Sequence, residues 1–340
     1  MRHIAERAGV TQATVSMALA NHPRISAATR TRIRALAERM GYRPNAYVSA
    51  LMRVRRHGKA MRDRPVLALV SPFPTEDGWR TSVAPTVRQM RDGAIERAAL
   101  RGFDPQEFWL HREAMDHDRF SDILRSRGIE GVLVGPVPAG SEPPALKWEH
   151  FSSVCLSVPF SDLTLMTVCN DHFFSSLQVV RECRRRGYRR PGLVLLQFHH
   201  QRFHGRWEAG VLIAQRHSPD ITLAEPLILD RWDEGAALSS WYHRERPDVI
   251  ITPGAELLLP VILEQGLSVP RDVGLAGLGL SSLQQRCAGI FQNGRLMGAT
   301  AIDALISMVE RHEKGLPGQA RTLMVEGIWH SGETLRPPVD

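Results

Sequence analysis

The sequence predicts a small all-α head followed by an α/β core of doubly wound parallel sheets, and three observations carry that expectation. In the first 44 residues apolar side chains recur three and four apart in short runs, the spacing of helices and not of strands. From Pro65 onward, short apolar runs alternate with amphipathic stretches of helical length, the pattern of buried strands joined by crossover helices. Charge divides at the same point. Up to Arg64 there are fourteen Lys and Arg against three acids, Glu6, Glu38 and Asp63, a net of +11 in a chain of overall charge +7. The remaining residues therefore carry −4, and the basic face belongs to the head alone.

The first element is a helix with Ile4, Ala5 and Ala8 on one side. Ala5 lets a second helix approach closely, and Gly9 supplies the backbone freedom for a tight turn. Thr11 can cap that second helix, whose Val15, Ala18 and Leu19 face inward and leave Gln12, Ala13, Ser16 and Met17 pointing out. Ser26 reads as the cap of a third helix with the stripe Ile33, Leu36, Ala37 and Met40, and Gly41 stands where it should stop. The spacing alone fits an ordinary helical hairpin. With the third helix it describes a helix-turn-helix, whose outward residues enter a major groove of DNA. Arg53, Arg55, Arg56, Lys59, Arg62 and Arg64 follow as a tract suited to phosphates or to a linker. Such a patch gives sequence-independent affinity by counterion release, with log K falling by about 0.9 per phosphate for each decade of salt.

The run AGVTQATVSMALANHPRIS, followed by TRTRIRALAERMGYRPN, resembles the DNA-binding head of the LacI/GalR family over about sixty residues. The family opens its first helix with a Thr and an Asp that are missing after Met1-Arg2-His3, which an upstream translation start would explain. By this resemblance 1–44 form the headpiece, and 45–64 form a hinge helix and basic linker capped by Asn45. Such a short helix forms only when two copies pair over an operator. Leu51 then matches a wedge that enters the minor groove and bends the duplex, although a plain helix residue is the other reading. Val48 departs from the small residue common there. Gln12 suits an adenine edge and Ala13 a thymine methyl, while Thr11, Thr14 and Ser16 suit phosphates. Asn21, Arg24, Tyr42, Tyr47 and Arg53 complete the expected DNA-facing set. At Met17 the family commonly carries an Arg that contacts guanine, so this chain should read a different operator base.

The core strands are expected at Val66–Val70, Gly131–Val134, Val154–Val158, Leu193–Leu196, Val249–Ile251 and Val273–Ala276, with helices such as Thr86–Leu100 and Phe174–Arg185 between them. Arg246-Pro-Asp-Val-Ile-Ile251, Gly266-Leu-Ser-Val-Pro-Arg-Asp-Val273 and Gly187-Tyr-Arg-Arg190 resemble the family's effector core. That resemblance implies a periplasmic-binding-protein-like (type I) fold spanning 65–332. Its N-subdomain is expected at about 65–162 and 291–319, its C-subdomain at about 163–290 and 320–332, with 333–340 as a tail. Two acidic clasps of sugar-responsive members are missing: Thr252-Pro253-Gly254 and Gly277-Leu-Gly-Leu280 stand at the matching positions. Arg202-Phe-His-Gly205 matches the family's R-x-x-G, whose Arg binds ligand, and Arg206-Trp207 is a shifted alternative.

Ligands of open α/β sheets bind at strand C-terminal ends. Trp79, Asp171, His199, His200, Trp207, Trp232, Gln292 and Asn293 are the polar or aromatic side chains expected there, each with the alternative of a purely structural role. His200 and His204 have the spacing of helical metal ligands but no adjacent acidic or Cys partner. Cys155, Cys169, Cys183 and Cys287 form no C-x-x-C pair, and no cofactor or metal site is expected. Neither a G-x-S-x-G elbow, a phosphate loop nor a catalytic carboxylate pair occurs, so catalysis has no candidate. With no export signal or membrane span, the cytoplasm is the expected compartment. These readings converge on a transcriptional regulator, a repressor, binding a pseudo-palindromic operator as a homodimer under control of a small molecule such as a sugar derivative. The ending Gly332-Glu-Thr-Leu-Arg-Pro-Pro lacks apolar heptads, so a dimer is expected and not a tetramer. A ligand-independent architectural regulator and a periplasmic-type sugar-binding protein are the alternatives.

Overall fold

A computed structural model describes residues 2–19, 25–40, 64–112, 115–137, 142–158 and 163–339. Residues 1–64 group with 308–313 as one compact unit, and the remaining residues form a second.

In the head, α1 (Arg2–Ala8), α2 (Gln12–Leu19) and α3 (Ala27–Arg39) enclose a small core of Ile4, Ala5, Val15, Ala18, Ile33 and Ala37, all buried. Gly9 takes φ +65°, the left-handed backbone that the α1–α2 turn requires. The Thr14 amide donates to Thr11 Oγ1 at 3.1 Å and the Thr29 amide to Ser26 Oγ at 3.3 Å, so both expected caps form. The Arg32 guanidinium donates to the Ala8 carbonyl at 3.2 Å, which ties α3 to the end of α1.

The second unit begins with β1 (Val66–Ser71), α4 (Gly78–Thr81), α5 (Pro85–Leu100), β2 (Asp104–Trp109), α6 (His117–Ser126), β3 (Gly131–Val134), β4 (Ser152–Leu156) and β5 (Met166–Asn170). It continues through α7 (His172–Arg185), β6 (Pro191–Leu196), α8 (Gln197–Arg202), α9 (Arg206–Arg216), β7 (Leu227–Leu229), α10 (Gly235–Glu245), β8 (Val249–Thr252) and α11 (Ala255–Glu264). The last elements are β9 (Gly274–Leu280), β10 (Ala288–Phe291), α12 (Gly294–Arg311), β11 (Thr322–Val325) and β12 (Ile328–His330). Two six-stranded sheets result, ordered β11-β5-β4-β3-β1-β2 and β12-β10-β9-β8-β6-β7. All pairings are parallel except β10 with β12. Central strands such as β3, β4 and β8 are buried throughout, which is why apolar residues predominate in them, with Ser152, Ser153 and Thr252 as polar exceptions. Both faces of the second sheet are covered: Val179, Trp207 and Val211 lie in one cluster, and Leu238, Trp241 and Leu258 in the other.

Three boundaries differ from expectation. β5 and β11 are strands of the first sheet, although 163–170 and 320–325 were expected in the C-subdomain. β11 pairs with β5 from Thr322↔Thr167 to Val325↔Asn170, a register that no local pattern reveals. The chain therefore crosses between sheets after Asn170, after Phe291 and after Val325. The Asn170 amide links these crossings, donating to the Val325 carbonyl at 2.9 Å and to the Gln292 carbonyl at 3.4 Å.

The expected tail is also part of the second half. Thr334 Oγ1 accepts from the Ala288 amide and donates to the Leu275 carbonyl, Leu335 is buried in the core, and the Arg336 amide donates to the Tyr188 hydroxyl. A hydroxyl that completes two strand ends is a built-in component and not a loose terminus. Finally, 277–280 continue β9 with Leu278 and Leu280 buried, so this segment is strand and not a ligand loop.

Candidate functional site

The head offers one candidate surface, the outer face of α2. Thr11, Gln12 and Ala13 are exposed, while Thr14 and Met17 are half-buried. Val15 and Ala18 point into the core and fix this orientation. The Ser16 side chain, Asn21, Arg24, Tyr42, Asn45, Tyr47, Leu51 and Arg53, and with them the hinge and basic tract, lie outside the described residues.

The core gathers a second set of residues where β5, β6 and β7 end. α8 follows β6 directly and carries His199 and Arg202; α9 carries Arg206 and Trp207; α7 starts one residue after β5 with His172. Helices α7 and α9 approach closely because Gly210 has no side chain: a Cβ there would lie 2.5 Å from the Phe173 carbonyl oxygen. That approach sets Trp207 against His172, with ring centroids 4.9 Å apart, and Phe203 packs on His172 at 4.4 Å. His199 lies 5.6 Å from Trp207 and 5.7 Å from Trp232. Trp232 in turn occupies the space left by Gly254, where a Cβ would meet its indole at 2.4 Å. His172, His199, Phe203, Trp207 and Trp232 thus form a continuous aromatic group, joined by Phe198 at 5.1 Å from His199.

The polar atoms of this group are unusual. Buried polar atoms are nearly always paired, yet His172 Nδ1, His199 Nδ1, Arg202 Nη2 and Trp207 Nε1 are buried without a hydrogen-bond partner. His172 and Trp207 are 4% and 3% exposed, so bulk water does not reach them. Burial, reinforced for His172 by Arg206 and His199, pushes the His172 imidazole down to about 3. Burial alone pushes His199 down to about 4, so both rings are neutral near pH 7. Burial also lowers Arg202 from the ordinary guanidinium range, against a raising influence from Cys155 of the first sheet. Arg206 Nη1 lies 4.0 Å from Cys169 Sγ. Both arginines therefore lie toward strands β4 and β5 of the opposite half, where the two halves face each other.

Of the expected ligand residues, His199, Arg202, Trp207 and Trp232 meet here. Arg202 and its shifted alternative Arg206 both reach the cleft. Three expected residues have structural roles instead. Trp79 is buried and its indole N–H donates to the Val87 carbonyl at 3.0 Å. Asp171 caps α7, accepting from the Phe174 amide at 2.9 Å. Gln292 donates to the Leu278 carbonyl at 2.9 Å in the second crossover. Asn293 likewise caps α12 through the Leu296 amide at 3.3 Å, and His200 Nδ1 meets Glu208 at 2.7 Å. Sequence reasoning missed His172, Phe203 and Cys169; the signal for His172 was its place one residue beyond Asp171 at a strand end. Among the described residues no three His, Cys, Asp or Glu converge as metal ligands, and no helix is long and apolar enough to cross a membrane.

Residues 1–45 match the model of bacterial regulatory proteins of the lacI family, and 180–328 match a periplasmic binding protein-like domain. The chain is similar to the HTH-type transcriptional repressor CytR of Escherichia coli strain K12, at 23% identity over 305 residues that cover 84% of this chain and 82% of the relative. Its fold is similar to that of a LacI-family transcriptional regulator from Silicibacter pomeroyi, with TM-score 0.55, 17% identity and 99% of both chains covered. It is also similar to the transcriptional regulator CelR in complex with cellobiose, with TM-score 0.59 and 19% identity over 97% of this chain and 98% of that one. The lac repressor dimer bound to operator and the anti-inducer ONPF gives TM-score 0.58 and 17% identity, covering 98% of each chain.

Proposed function

We propose that this chain, built of a lacI-family head and a periplasmic-binding-protein-like core, is a transcriptional repressor that binds a pseudo-palindromic operator as a homodimer and answers to a small molecule in the core cleft. The observation that carries this reading is the pairing, in one chain, of an exposed α2 face with a cleft whose buried polar atoms lack partners. Gln12 and Ala13 read base edges while Thr11 and Thr14 contact phosphates. A two-fold pair of chains places one head on each half-site, and Leu51 of each hinge opens the minor groove between them. A ligand that favours one arrangement of the two core halves shifts the dimer between strong and weak operator binding by its differential affinity.

Operator selection with the full chain tests this. An enriched inverted repeat is expected, and the absence of any enriched sequence would overturn the reading. Met17 replaces the arginine common in relatives, so selection with Met17→Arg should change one base pair in each half-site; identical motifs would remove Met17 from the readout.

A further inference from the structure

We infer that the cleft ligand is a small anion carried on a ring, its carboxylate or phosphate held by Arg202 and Arg206 and its ring packed within the group of His172, His199, Phe203, Trp207 and Trp232. The inference rests on the proposed effector-responsive reading and specifies the effector's chemistry.

The charge argument comes first. Arg202 and Arg206 make no ion pair with a described residue, and Arg202 Nη2 is buried with no acceptor. Both arginines are half-buried, and a guanidinium nitrogen withdrawn from water without an acceptor costs stability unless something else supplies one. Cys155 and Cys169 face the two arginines but do not supply it, because burial drives Cys155 up to about 12 and raises Cys169 as well. Nor do nearby carboxylates. Asp171 is committed to the Phe174 amide, Glu208 to His200, and Glu256 to Ser281. Beside Trp232, Asp233 holds Arg231, and Glu234 accepts from the Asp230 and Arg231 amides. The missing acceptor is therefore expected from outside the chain.

The remaining inventory defines the rest of the ligand. Trp207 Nε1 adds a neutral donor, and each neutral imidazole offers one donor and one acceptor nitrogen. Five rings from three helices and a loop provide faces and edges that favour a flat or ring-shaped body over a flexible chain. A neutral sugar would instead be gripped by carboxylates, and no free carboxylate stands among the described cleft residues. The ionic and stacking components are separable, and this makes the inference testable.

Calorimetry on the full chain at pH 7.5 would compare charged and uncharged partners: benzoate with benzamide, nicotinate with nicotinamide, glucuronate with glucose, and AMP with adenosine. The charged member of at least one pair should bind about 10- to 100-fold more tightly than its neutral partner, the span expected for hydrogen bonds to an ionised group. The pair that responds distinguishes carboxylate from phosphate and aromatic ring from sugar ring. Arg202→Met and Arg206→Met should each remove most of that preference, and Arg202→Lys should restore part of it while circular dichroism shows the fold unchanged. Neutral partners binding as well as the anions, or silence from every anion, would overturn the inference. Operator affinity of the same preparation, measured by fluorescence anisotropy, separates the two readings. Anion binding without any change in operator affinity would sink effector control but not the ligand class; operator binding with no anion binding would do the reverse.

Discussion

The two halves of the core share one architecture, six strands apiece with helices on their faces, yet they end in opposite chemistry. At the cleft the first half presents small groups: Cys155, Cys169 and the Ser71 hydroxyl at the end of β1. The second presents three large aromatic rings, two imidazoles and two guanidiniums. Their tryptophans sharpen the contrast. Trp79 in the first half and Trp207 in the second are equally buried, but Trp79 has its N–H bonded and Trp207 does not. The same residue type, buried to the same extent, has its N–H bonded in one half and without a partner in the other; hydrogen-bond satisfaction tells them apart where burial does not.

The largest expected effect is of pH on the second half. His172 and His199 stay neutral when folded down to about 3 and about 4, whereas in the unfolded chain each takes up a proton near 6.5. Stability should therefore be flat above pH 6.5 and fall below it by about 1.4 kcal/mol per pH unit for each histidine. Urea unfolding at several pH values checks this. His172→Phe and His199→Phe should each flatten the slope by about that amount, and an unchanged slope would mean that the imidazole reaches water in the native state. A smaller effect separates the tryptophans. Trp79→Phe should cost about 1 kcal/mol more than Trp207→Phe, because only the former loses a hydrogen bond. Equal costs in urea melts would erase the distinction between the halves. Smallest is Ser71→Ala, which removes a buried hydroxyl without a partner and should move stability by no more than about 0.5 kcal/mol.

How far the sequence discloses this molecule follows from what each residue must do alone. The head's caps and core are legible because Thr11, Gly9 and Ser26 act within three residues of themselves. β1, β3 and β8 are legible because they are buried almost throughout and every position but Ser71 and Thr252 is apolar or glycine. β2 is not, since at the sheet edge Asp104–Trp109 is half-wet and carries Pro, Gln and Glu. β11 is equally hidden: its exposed Thr322, Leu323 and Met324 find their partner some 150 residues away. The R-x-x-G resemblance singled out Arg202, and the strand-end rule singled out His199, Trp207 and Trp232. It could not separate them from Trp79, Asp171 and Gln292, whose polar atoms are satisfied by backbone groups that only the folded chain brings near.

The three crossings between sheets give neither half a continuous stretch of gene. The first sheet is completed by β11, encoded after every strand of the second except β12, and the second needs Thr334 and Leu335 beyond that. No single cut of the core chain separates the two sheets whole. The cationic, aromatic half and the thiol-bearing half are therefore interleaved along one stretch of chain. Neither half can be excised or replaced by exchanging one uninterrupted segment.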